Sequence, residues 1–158
     1  MKPLVCALVF ILGTPICFAQ ETKESETKKE KHSGFEWLKQ FEGNWETSYN
    51  GTMSSRTVGE RWVVNELSFQ GGLASIQTIG YDAKKKQFIG TWIDSTSDYI
   101  WQYAGSLDST GKSLVLEAEG PDLTEPARIR RYRDTYQFTS KNEIAAVSQM
   151  LDDKGEWR

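Results

Sequence analysis

The stretch Gly80-Tyr81-Asp82-Ala83-Lys84-Lys85-Lys86-Gln87-Phe88-Ile89-Gly90-Thr91-Trp92-Ile93-Asp94-Ser95 writes out a hairpin. Asp82 to Lys86 is too charged to pack and must turn, whereas Phe88 to Ile93 is β-branched or aromatic and alternates as a strand does. The same logic extends in both directions. Gln70-Gly71-Gly72 supplies positive φ, Asp108-Ser109-Thr110-Gly111 ends in the glycine a bulged hairpin needs, and Asp152-Asp153-Lys154-Gly155 repeats that chemistry. Between such turns the pattern predicts strands over Asn44–Asn50, Ser55–Val58, Arg61–Phe69, Leu73–Tyr81, Gln87–Asp94, Tyr99–Leu107, Ser113–Glu119, Ala127–Phe138 and Glu143–Leu151. About eight or nine hairpin-linked antiparallel strands are too many for an open sheet of this size, so the expected fold is all-β: an up-and-down barrel, with a sandwich as the other geometry.

One short helix precedes the strands. Ser33-Gly34-Phe35-Glu36 has the S-x-x-E form of a capping box, and Phe35, Trp37, Leu38 and Phe41 follow at spacings of three and four up to Gly43. The G-x-W triplet Gly43-Asn44-Trp45 comes next. The central stretch resembles the GYD…KKK…TWID core of a family of bacterial exported domains known as domain of unknown function 1579, whose fold is lipocalin-like. The likeness covers most of Phe35 to Leu151, including Gly105, Asp108, Leu114 and Leu116. G-x-W after a short helix is similar to the lipocalin and wider calycin signature, which implies that Trp45 plugs one barrel end beneath an arginine from a late strand; an ordinary core tryptophan packing on Leu38 and Phe41 is the plainer alternative. The family has no established activity, so the resemblance implies a fold and a compartment without a reaction. Its members continue after the last turn into a further strand, whereas the sequence given ends at Glu156-Trp157-Arg158. The barrel is therefore expected to lack its closing strand, or the sequence to be a fragment.

The N-terminus points to export. Lys2 precedes the apolar run Leu4 to Leu12, and Cys17-Phe18-Ala19 sets small residues for a cut before Gln20, so residues 1–19 read as a signal peptide. Gly13 and Pro15 break that run well short of a membrane span. Thr14-Pro15-Ile16-Cys17 lacks the small residue that precedes a lipidated cysteine. Residues 20–33 mix Glu and Lys with no large apolar side chain and read as a solvated linker, leaving 34–158 as one domain of periplasmic or secreted location. Lys and Arg number 19 against 22 acidic residues, a net charge of −3. A nucleic-acid binder would carry a basic domain, and no basic amphipathic helix marks a membrane surface. The sequence leaves the oligomeric state open.

Chemistry is bounded sharply. His32, the only histidine, lies in the linker, and both cysteines, Cys6 and Cys17, lie in the signal segment. Ser-His, Cys-His and His-metal arrangements are thus unavailable within the domain, and neither a catalytic group, a metal nor a cofactor is assigned. Asp94 and Asp98 flank a turn, Glu117 and Glu119 share one strand face, and Asp152 and Asp153 lack calcium-loop spacing; all fit turn or solvent-facing positions, although either of the first two pairs offers an acid and a base.

Aromatic residues give the more specific signal. Trp92 shares a face with Phe88 and Gly90, and Tyr99, Trp101 and Tyr103 share a face of the next strand, so the Asp94–Asp98 hairpin presents an aromatic cluster that either fills the barrel or walls a pocket. Arg128, Arg130 and Tyr132 alternate with Ile129, Arg131 and Arg133, so one arginine set faces inward or sits at the rim, where Asp94 offers a partner. The expected function is binding of a small apolar or amphipathic molecule, with Trp62, Trp92, Tyr99, Trp101 and Tyr103 as candidate pocket residues and Asp94, Arg128 and Arg130 as polar anchors. A carboxylate-dependent enzyme and an interaction module that assembles through an exposed strand edge are the alternatives.

Overall fold

A computed structural model describes residues 34–122 and 124–158. The proposed signal segment, the linker and Ser33 of the capping box lie outside the described residues. Residues 34–38 form a helical turn that tightens into a 3-10 turn over Lys39–Phe41. Nine strands follow: β1 Gly43–Thr47, β2 Gly51–Val58, β3 Trp62–Phe69, β4 Ala74–Asp82, β5 Gln87–Asp94, β6 Trp101–Leu107, β7 Ser113–Pro121, β8 Ile129–Ser140 and β9 Glu143–Met150. Each pairs antiparallel with the next in one sheet of order β1 to β9. Among the described residues no pairing joins β9 to β1, and the curled up-and-down sheet is an open half-barrel.

The turns work as their sequences predict. Asp82 accepts the amides of Lys84 and Lys85 at 2.9 and 3.2 Å, fixing the charged hairpin. Gly111 and Gly155 take φ of +71° and +78° at the close of their loops, where a Cβ would be strained. Asn50 sits at φ +53° in a turn, so β1 stops three residues short of the expected end.

Alternation along the strands assigns two faces, and the concave one is layered. At the helix end it holds Val63, Ile79, Phe88, Leu114 and Leu116, all fully or almost fully buried against Leu38 and Phe41. Trp37 and Phe41 pack edge-on against Phe138 at 5.4 and 5.1 Å between ring centroids, closing this end. Trp45 is only half-buried; its indole N–H donates to the Phe41 carbonyl at 2.7 Å and its ring meets Phe138, so the helix supplies the plug. The odd-numbered hairpin loops and the chain after β9 lie at the opposite end, the mouth.

Candidate functional site

Above the apolar layer the concave face turns polar. Ser55, Asn65 and Gln77 are neighbours in register on β2, β3 and β4, and their side chains form a chain: Ser55 Oγ donates to Asn65 Oδ1 at 2.6 Å, and Asn65 Nδ2 donates to Gln77 Oε1 at 2.9 Å. Gln77 Nε2 then donates across the interior to the Tyr136 hydroxyl on β8 at 2.8 Å. Beside it Asp134 accepts the hydroxyls of Tyr103 and of Ser148, the latter at 2.6 Å. Burial pushes the Asp134 carboxyl above its ordinary range despite these two donors. The Tyr103 and Tyr136 phenols are raised by burial and then by the neighbouring Asp134 charge.

One register row nearer the mouth, Leu67, Ser75 and Asp94 align on β3, β4 and β5. Ser75 is 4% exposed, and its Oγ has no hydrogen-bond partner among the described residues. Asp94 is well satisfied: the Trp92 indole N–H donates to it at 3.2 Å, and the Thr96 amide at 2.8 Å. Burial alone would raise its pKa, but the Thr96 hydroxyl and amide and the Trp92 indole together hold it below the usual carboxylate range. It is ionised at neutral pH and unsuited to act as a general acid.

Trp92 and Trp101 are direct partners in the β5–β6 register, yet their side chains lean apart. Trp92 turns toward Asp94, while Trp101 lies over Gly120 of β7, where an added Cβ would fall 2.0 Å from its indole nitrogen. Tyr99 packs edge-on against Trp101 at 5.3 Å. Both tryptophans and Tyr99 are half-buried, which leaves ring surface at the mouth.

The structure places the remaining expected residues elsewhere. Trp62 lies on the convex face, 36% exposed and stacked on Gly80, because Val63 and Asn65 take the inward positions of β3. Tyr103 is buried in the polar layer and tied to Asp134. Of the two arginine sets, Arg130 and Tyr132 face inward, but Arg130 pairs with Asp122 at 2.7 Å and with Asp153 in place of Asp94. Arg128 shares Asp153 at the rim. Arg130 and the Thr124 amide and hydroxyl hold Asp122 well below the ordinary range. On the convex face Arg131 and Arg133 both bind Glu117, and the Arg133 guanidinium lies 3.9 Å from the Trp157 ring centre. An open cavity of about 420 Å³ lies on that side, where β6–β7 pairing ends at Ala104↔Glu117; Tyr99, Gln102, Glu119 and Arg131 are among its walls.

Sequence reasoning missed Ser55, Asn65, Ser75, Gln77, Asp134 and Tyr136. The usable signal was their spacing: Ser75 and Gln77 share parity with Ile79 and Tyr81, and Asn65 with Val63 and Leu67.

These features define an all-β open half-barrel whose concave face is apolar at the capped end, polar in the middle and aromatic at the mouth. The chain belongs to the family described as protein of unknown function (DUF1579), whose model matches residues 28–158. No curated protein and no solved structure matches it.

Proposed function

We propose that this chain is an exported binding protein for a small amphipathic molecule, held on the concave face between the polar layer and the mouth. The observation that carries the reading is the Ser75 hydroxyl, shut away from water with no partner on a face that a purely structural core would have filled with apolar groups. Leaving such a hydroxyl unsatisfied costs about 1–3 kcal/mol, which a polar ligand group would recover. The half-buried ring of Trp92, bonded to the neighbouring Asp94, offers apolar contact beside it, with Trp101 further along the mouth toward β7. Export rests on the basic, apolar and small-residue order of residues 1–19.

A solvatochromic apolar probe tests the reading. Trp92→Ala and Trp101→Ala should weaken its binding more than they reduce stability, since half-buried rings have fewer packing partners than rings in a filled core. Wild-type protein that binds no probe, with both variants losing several kcal/mol of stability, would refute it. N-terminal sequencing of the exported protein should find Gln20 first, and Met1 retained would sink the export reading.

A further inference from the structure

We infer that the ligand's polar end is a cation, a primary ammonium group whose N–H donors reach both Asp94 and Ser75; the inference rests on the concave-face site proposed above and names the chemistry that site selects. Ser95 N–H donates to the Ala74 carbonyl at 2.9 Å, so the next pair, Ser75 and Asp94, is a non-hydrogen-bonded pair whose side chains stand close on the inner face. Yet Ser75 does not bond to Asp94, and a group lying between them would meet a hydroxyl oxygen and a carboxylate at once. Among the described residues no Lys or Arg lies within 4.0 Å of Asp94, so its charge is held only by neutral N–H and O–H donors. Arg130, the inward base of this end, is already taken by Asp122 and Asp153. The Trp92 ring, fixed by its bond to Asp94, adds the aromatic surface that attracts a cation.

The long-range field has the same sign. The mouth loops carry Asp98, Asp122, Glu125, Asp152, Asp153 and Glu156. Arg128, Lys154 and Arg158 in those loops and Arg130 at the start of β8 oppose them, which leaves an acidic excess. The capped end has the reverse excess, with Arg61, Lys84, Lys85, Lys86, Lys112 and Lys141 in its hairpin loops against Glu60 and Asp108. A cationic amphiphile is therefore drawn to the mouth, and an anionic one such as a fatty acid is repelled from it.

The test compares octylammonium, octanol and octanoate by calorimetry at low salt on the whole protein. The cation should bind about tenfold tighter than octanol, with octanoate weaker than either. Asp94→Asn removes the charge and keeps the Thr96 bonds through its amide oxygen, while its amide NH2 replaces the oxygen that accepts the Trp92 indole N–H; it should bring the cation down to the level of octanol measured on the same variant. Octanol binding with no preference for the cation, or a preference that survives Asp94→Asn, overturns this inference alone. Binding by none of the three overturns both it and the concave-face site.

Discussion

Gln77 joins the two sides of the half-barrel and is the most informative residue to perturb. Its side chain is 2% exposed, accepts from Asn65 and donates to the Tyr136 hydroxyl 59 residues away. Tyr136→Phe removes only the acceptor and leaves one buried amide N–H unpaired, which should cost about 1–2 kcal/mol. Gln77→Ala leaves both Asn65 and Tyr136 without their partner and opens a cavity, and should cost roughly 3–5 kcal/mol. Because the two changes break the same bond, the double variant should fall short of the summed losses by about 1 kcal/mol. Urea unfolding reads all three, with unchanged m-values showing that the unfolded states remain comparable. A loss below about 1 kcal/mol for Gln77→Ala would show that β4 and β8 do not meet across the interior, and the curl of the sheet would have to be redrawn.

Gly120→Ala should cost about 1–3 kcal/mol and shift tryptophan emission, since its Cβ must displace the Trp101 indole; unchanged emission would place that ring elsewhere. Trp45→Ala should cost about 2–3 kcal/mol by denaturant titration, less than a fully buried tryptophan, because Trp45 is half-exposed and the helix residues do the plugging. Asp134 has a raised native pKa, so the native state keeps its proton longer than the unfolded chain does; its burial costs nothing below the unfolded value and costs more as pH rises through the native one. Stability measured from acid to neutral pH should therefore fall in the wild type relative to Asp134→Asn, and a difference that rises instead would reverse the assignment. Asp122 has the opposite sign: its pKa is depressed by Arg130, so Asp122→Asn should remove stability that the wild type holds above the ordinary carboxylate range and loses in acid.

The strands were legible because turn chemistry is local. Asp82 to Lys86 and Asp108 to Gly111 punctuate the chain whatever surrounds them, and the nine segments between follow. The site was less legible because a polar residue in a strand has no intrinsic face. Ser75 and Gln77 alternate with Ile76, and local pattern favours the isoleucine as the inward residue; in the sheet Ile76 is 42% exposed and the polar pair is buried. That choice is set by the register with Asn65 and Trp92, residues of other strands. The position of Trp62 was hidden for the same reason, since its size suggests a pocket wall while its parity with Glu66 puts it on the convex face. The Arg130 partner was hidden differently: Asp122 and Asp153 sit in two loops that meet only once β7, β8 and β9 are paired.

The most direct test of the account is amide and indole chemical-shift mapping of the labelled protein during titration with octylammonium. The account predicts saturable shifts confined to Leu67, Ser75, Trp92, Asp94 and Trp101, with Val63, Ile79 and Leu116 at the capped end unmoved. Shifts centred instead on Gln102, Glu119 and Arg131 of the convex cavity, or no saturable shifts at all, would contradict it.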